Sequence, residues 1–212
     1  MNFGNAIIKL FGVGFLTACV SSSSGSLSRA VSVITNENNI RISSPSGFCV
    51  DQRTTKKSQD STTLFVVDCI EIPESNSFSA ARRPISSILT VTISKSNGPA
   101  FTNIDALNEF FSTKPGINFL ARSKTNMVLK VHNVEKIDNI LIYKLEQRNA
   151  DIGVKQSLFF WRAFFFLEER LISITANNFS DSEGSQRKLR DLTLKLAKNI
   201  FYEKENEFQK EL

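Results

Sequence analysis

Three rhythms of apolar and polar residues divide this chain. Near the amino terminus a short apolar run, Leu10–Ala18, stands behind Lys9. Val20–Ser32 follows, where Ser21-Ser22-Ser23-Ser24-Gly25-Ser26 has nothing to bury and predicts a flexible tether. From Ile34 onward the pattern is that of a folded domain. Ile40 and Ile42 alternate with polar neighbours over Asn39–Ser43, which predicts a short strand. The turn Ser44-Pro45-Ser46-Gly47 leads into a strand over Gly47–Asp51, and Leu64–Ile70 is another. Arg53–Thr62 between them reads as a polar loop, as does Ile72–Pro84 with its prolines, serines and Arg82-Arg83. Ser87–Lys95 is rich in β-branched residues and predicts a strand that Asn97-Gly98-Pro99 ends.

The period then lengthens. Ile104, Leu107, Phe110 and Phe111 form one stripe at helical spacing, so Asn103–Ser112 predicts a helix. Thr102 is its expected cap, Asp105 sits near the capping-box acidic position, and Lys114-Pro115-Gly116 reads as its stop. Four strands come next: Met127–Glu135, Asn139–Gln147, Ser157–Leu167 and Arg170–Ala176. Asp138-Asn139 and Glu168-Glu169 are their turns. A last helix is predicted over Glu183–Lys204, capped by Ser180 or Ser182, with Leu189, Leu192, Leu196 and Ile200 inward. Glu203–Leu212 is a charged tail expected to fray.

The strand Ser157–Leu167 governs the expected architecture. Phe159, Trp161 and Phe165 point to one face, and Phe160, Phe164 and Phe166 to the other. An antiparallel strand with one wet face would alternate polar and apolar, so both faces of this one are covered. The expected fold is α+β: an antiparallel sheet of about six strands with helices on both faces, forming one domain over 34–204.

The 212-residue chain carries a formal charge of +5, and without residues 1–18 it has 25 basic against 21 acidic residues, a charge of +4. That charge is mild and spread out, unlike the one-faced basic surface of a nucleic-acid binder, so no nucleic-acid partner is expected. The Leu10–Ala18 run is shorter than the roughly 20 residues a bilayer span needs. With Lys9 before it, it has the form of an export signal. Leu16-Thr17-Ala18-Cys19 resembles the bacterial lipobox. The resemblance implies that a lipoprotein peptidase reads Leu16, Thr17 and Ala18. Cys19 then becomes the first mature residue and carries a thioether-linked diacylglycerol. Segment 1–18 would be the signal peptide and 19–33 the lipidated tether. Several acyl chains make a stable membrane anchor where one does not. Val20 stands where Asp would retain the protein in the inner membrane, a pattern that resembles outer-membrane delivery facing the periplasm.

The chain has three cysteines. With Cys19 lipidated, Cys49 and Cys69 have one possible pairing in an oxidising compartment. They lie in strand-like segments joined by a loop, and closing that loop would contribute about 3 kcal/mol.

The order of elements, an N-terminal hairpin, strand, helix, long meander and C-terminal helix, resembles the PsbP-like fold over about residues 39–202. The matching pieces are Ile42-Ser43-Ser44-Pro45-Ser46-Gly47-Phe48, the paired strands of Val131–Glu146, and the hairpin Ser157–Ile174. Phe48 stands where that fold has Trp, and Lys136–Ile140 lacks its Gly. Ser44–Asp51 also looks like the opening of an uncharacterised group of bacterial lipoproteins. The resemblance implies an adaptor that docks on a protein assembly, an analogy at the level of fold.

Candidate chemistry is sparse. His132 is the single histidine, which excludes a multi-His metal centre, and no C-x-x-C, nucleophile-elbow or phosphate-loop motif occurs. No cofactor or metal is expected. Arg162 shares a strand face with Phe160 and Phe164, so its guanidinium calls for a structural acid such as Glu146, for the strand edge, or for a ligand anion. Asp51 and Asp68 read as solvent-facing, with a cleft-flanking role as the alternative. Among the phenylalanines, Phe78, Phe101 and Phe179 are the ones placed in loops and expected at the surface. Three functions fit. The first is a non-enzymatic envelope adaptor with an envelope protein partner. The second is a periplasmic module for a small apolar or anionic ligand at Arg162. The third is a thiol enzyme using Cys49 or Cys69 with His132.

Overall fold

Strands outnumber helices eleven to three in the computed structural model, which describes residues 27–35, 39–69, 87–94, 103–121, 127–149, 157–178 and 183–203. In chain order the strands are β1 (Leu27–Ser28), β2 (Ala30–Ile34), β3 (Asn39–Ser43), β4 (Phe48–Lys57), β5 (Ser61–Asp68) and β6 (Ser87–Ser94). Helices α1 (Ile104–Phe111) and α2 (Lys114–Ala121) follow. Then come β7 (Met127–Ile137), β8 (Ile140–Asn149), β9 (Ser157–Leu167), β10 (Arg170–Asn178), α3 (Glu183–Lys198) and β11 (Ile200–Glu203). Eight strands form one sheet in the order β1-β4-β5-β6-β10-β9-β8-β7, and three form a second in the order β11-β3-β2. All the pairings are antiparallel.

This corrects the expected sandwich of about six strands between helical layers. The protein is mostly β, with an eight-stranded sheet, a three-stranded sheet and short helices. The extra strand content comes from stretches read as something else. Ile200–Glu203, expected within the last helix, pairs instead with β3, Ile200 against Ile42 and Tyr202 against Ile40. Its branched and aromatic residues suit a pleated surface better than a helix end. The polar loop expected over Arg53–Thr62 is largely strand: β4 runs to Lys57, with its register against β5 shifting between Asp51 and Lys56, and β5 begins at Ser61. Order also begins earlier than Ile34. Leu27 pairs with Asp51, and Val31 and Val33 pair with Ile42 and Ile40. Segment 21–26 lies outside the described residues, as do Thr102, Ser180 and Ser182.

The helices differ from expectation at their ends. Asn103 caps α1, its side chain accepting the Ala106 N–H at 2.8 Å. Lys114-Pro115-Gly116 does not end helical structure but opens α2. Proline is tolerated in a first turn, where the missing N–H has no partner to lose. Gly116 is required there, since a Cβ would sit 1.9 Å from the Phe110 carbonyl oxygen.

The large sheet buries both faces through β9, as its alternation requires. One face gathers Ile142, Trp161, Ala163, Phe165, Ile172 and Ile174 beneath Leu189 and Leu196 of α3 and beneath the small sheet. The other gathers Leu141, Tyr143, Leu145, Phe160 and Phe164 beneath Ile104, Leu107 and Phe111 of α1 and Leu120 of α2. Phe164 is fully buried and tilts against Phe111 with ring centroids 4.7 Å apart. Cys49 and Cys69 form a disulfide with Cα atoms 5.0 Å apart, clamping β4 to the end of β5.

Candidate functional site

Strand parity and one helix build the site. Trp161 on β9, Lys144 on β8 and Asn133 on β7 are successive partners across three strands. They therefore point to one face in a row, and that face is the one α3 covers. The helix packs over β9 and β10. It reaches the outer strand through ion pairs: Arg190 to Glu135, and Lys198 to Asp138 at 3.5 Å. A cleft of about 410 Å³ opens between the helix and the outer strands. Trp161 and Lys144 form its floor, His132, Asn133 and Glu135 one wall, and Gln186, Arg187 and Arg190 the other.

Two buried side chains in this cleft lack what burial normally demands. Trp161 and Gln186 are each only 4% exposed. Among the described residues, the indole Nε1–H and both amide atoms of Gln186 have no hydrogen-bond partner. Buried polar atoms are satisfied in the great majority of cases, and each orphan costs about 1–3 kcal/mol. All three orphan atoms lie within the packing of α3 on β9, closed to solvent.

The charges around the cleft are arranged differently. His132 stands at the register shift between Val131 and Asn133, where the strand bulges. Its Nε2 lies 2.5 Å from Glu146 Oε2, and Arg148 Nε donates to Glu146 Oε1 at 2.6 Å. Burial pushes the Glu146 carboxyl up, but the hydrogen bonds from His132 and Arg148 outweigh it and hold the group below its ordinary range. Arg190 likewise holds Glu135 low by hydrogen bonding against the opposing effect of burial. Lys144 lies over the Phe159 ring at 5.7 Å, and His132 packs on the same ring at 5.4 Å.

Arg162 is not in this cleft. It occupies the opposite face of β9, under α1 and α2. Its Nη1 donates to the carbonyl oxygens of Phe119 at 3.1 Å and Leu120 at 2.9 Å. Those carbonyls belong to the last turn of α2, which leaves acceptors without helical partners. The guanidinium therefore caps a helix C-terminus, a favourable place for a cation. It also lies over the rings of Phe164 and Phe119, at 5.0 and 5.6 Å. The carboxylate considered for it, Glu146, pairs with Phe159 of β9 and so faces the other side of the sheet. Asp51 corrects another expectation. It is buried, and its Oδ1 accepts from the backbone N–H of Arg53 at 3.1 Å and from Arg53 Nε at 3.0 Å.

Leu16, Thr17, Ala18 and Cys19 lie outside the described residues, as do Phe78, Phe101 and Phe179. Cys49 and Cys69 are joined to each other, and six strand steps separate β4 from the β7 edge that carries His132. At about 4.8 Å per step this is roughly 29 Å. The thiol-enzyme reading thereby loses its nucleophile and its base together. Sequence reasoning missed Gln186, Lys144, Arg187 and the polar end of Trp161. One signal was present: Gln186 is three residues before Leu189, a polar side chain on the apolar stripe of the helix.

No protein-family model matches the chain, and no curated protein matches it. Among solved structures it is similar to the solution structure of cyanobacterial PsbP (CyanoP) from Synechocystis sp. PCC 6803. The match covers 89% of this chain and 99% of that one at 16% identity, with a TM-score of 0.45. At that identity and TM-score, nothing about activity or partner passes from one protein to the other.

Proposed function

We propose that this protein is a lipid-anchored, non-catalytic interaction domain of a bacterial envelope, held at the membrane through Cys19 and docking on an envelope protein. The observation that supports it most is how the three cysteines divide. Cys49 and Cys69 pair as a disulfide, which suits an oxidising compartment outside the cytosol. The remaining cysteine is Cys19, which ends Leu16-Thr17-Ala18-Cys19. The short apolar run behind Lys9 and the serine-rich segment after Cys19 fit an export signal and a tether. Val20 favours the outer membrane, with the domain facing the periplasm.

Cell fractionation tests the anchor. The wild-type protein is expected in the membrane fraction and the Cys19→Ser variant in the soluble one. A Cys19→Ser protein that stays with membranes overturns the assignment. Affinity capture from envelope extracts, with Cys19→Ser as control, tests for the partner.

A second reading is favoured by the cleft. Arg162, the anion partner the sequence suggests for such a module, instead serves the carbonyls of α2. The cleft under α3, with Lys144 and Arg187 in its lining, is the better location for such a ligand.

A further inference from the structure

We propose that the tip of the β4–β5 hairpin rests on the bilayer, with Lys56 and Lys57 against the phosphates of anionic phospholipid headgroups. This contact presupposes the anchor at Cys19 proposed above and names the face of the domain that the anchor holds to the membrane.

Chain direction sets the orientation. β1 is an edge strand antiparallel to β4, with Leu27 opposite Asp51 and Ser28 opposite Val50. Followed backwards from Leu27, the chain therefore leaves the sheet toward the end where β4 turns into β5. Seven residues, Val20–Ser26, separate Leu27 from Cys19. The eight Cα steps, at most about 3.6 Å each, reach roughly 29 Å when taut. A serine-rich chain of that length spans about 16 Å on average. The hairpin projects beyond Leu27 by the four steps of β5 from Phe65, the partner of Asp51, to Ser61. At about 3.3 Å per step this is roughly 13 Å. The average span and the projection match, so an anchored Cys19 lies level with the tip and the tip meets the headgroups.

Local chemistry suits that contact. Between Asp51 and Lys56, β4 takes five steps while β5 takes two, a bulge that leaves Gln52, Arg53 and Thr54 exposed. The Asp51 carboxylate holds the bulge through Arg53, and its carbonyl oxygen accepts from the Thr54 hydroxyl at 3.0 Å. Ser58 closes the turn, its N–H donating to the Ser61 carbonyl at 2.8 Å and its Oγ accepting the Ser61 N–H at 3.0 Å. Lys56–Asp60 is exposed and carries no apolar side chain, so the tip lies among headgroups and does not insert. Lys56 and Lys57 are consecutive on a strand and point to opposite faces, which places positive charge on both sides of the tip. Neither forms an ion pair among the described residues, and Asp60 is the acid within the turn. The acidic turn Glu168-Glu169 lies at the same end of the sheet but three strand spacings away, about 14 Å. An anionic surface therefore attracts the β4 side, where the chain also leaves.

Lysine acetylation read by mass spectrometry tests the contact. The mature protein, purified from membranes in detergent, is reconstituted into two kinds of vesicle. One is phosphatidylcholine alone, and the other is equal parts phosphatidylcholine and phosphatidylglycerol. Both are treated with N-hydroxysuccinimidyl acetate. Lys56 and Lys57 are expected to react about 5-fold more slowly on the mixed vesicles and to recover at high salt. Lys188, exposed on α3, is expected to keep its rate. Lys56→Glu, at an exposed position, is expected to remove most of the protection of Lys57. Equal rates on the two vesicles overturn the headgroup contact. Unchanged protection of Lys57 in Lys56→Glu, with circular dichroism confirming the fold, overturns it as well. Slowing at Lys188 in place of the hairpin lysines overturns the orientation. The same digest reports on the anchor separately. An acylated Cys19 peptide with no protection at the hairpin leaves the anchor standing and removes the hairpin contact. An unmodified Cys19 peptide removes the anchor, and the orientation with it.

Discussion

Strand β9 carries a buried polar group on each face, and the two faces treat theirs in opposite ways. Under α1 and α2, Arg162 brings a full charge into an aromatic cluster and spends it on the open carbonyls of a helix end. Under α3, Trp161 and Gln186 bring neutral groups into the larger core and find no partner among the described residues. The more expensive group is the one that finds acceptors, through its Nη1. Burial alone therefore does not mark a functional position. Arg162 attracts attention by charge and hydrophobic surroundings, yet it is architecture. Trp161 and Gln186 look like ordinary core and helix residues, yet theirs is the hydrogen-bonding capacity left open.

Four measurements break or sharpen that contrast. The largest effect is expected on the α1–α2 face, at Phe164, which has no exposure and supports the Arg162 stack. Phe164→Ala should cost about 3–5 kcal/mol in urea unfolding. A loss below about 1 kcal/mol would mean that the α1–α2 layer does not pack as described. Next is Arg162→Leu, which leaves the α2 carbonyls without their donor. It should destabilise by about 1–3 kcal/mol, and amide hydrogen exchange in α2 should rise ahead of the rest of the domain. A neutral or stabilising result would remove the capping role.

The third measurement concerns acid. Glu146 and Glu135 both titrate below their ordinary value of 4.5 in the folded protein. A lowered folded pKa means the carboxylates add stability that is fully present above about pH 4.5 and is lost as pH falls through their lower folded values. The melting temperature should therefore decline below that pH, and Glu146→Gln should reduce the slope. An unchanged slope would show that the His132–Glu146–Arg148 cluster is not formed in solution.

The smallest effect has the opposite sign. Gln186→Leu replaces two orphaned polar atoms with a side chain suited to the stripe, and is expected to stabilise the protein by up to about 1 kcal/mol in the absence of ligand. Stability gained at Gln186 and lost at Arg162 would establish the difference between the faces. Destabilisation at both would mean that Gln186 already has a partner in solution.

Much of the course of the chain was legible before the structure. The two-faced burial of Ser157–Leu167, the helical stripe from Ile104 to Phe111 and the pairing of Cys49 with Cys69 all follow from residue spacing or from elimination. The misreadings share a cause. Ile200–Glu203, Lys114–Gly116 and Arg53–Lys57 are short stretches whose local preference is weak or double, and neighbouring strands or helices decided among their options.

The sequence by itself determined which side chains are inward, because alternation along a strand and recurrence along a helix are properties of local backbone geometry. Only the tertiary structure decided what those side chains meet. Arg162 found the end of α2 because that helix folds over its face of the sheet, forty residues earlier in the chain. Trp161 and Gln186 find no hydrogen-bond partner among the described residues where α3 packs over β9. Hydrogen bonds are satisfied by whatever arrives through space, so the unfilled ones become visible once the layers are stacked.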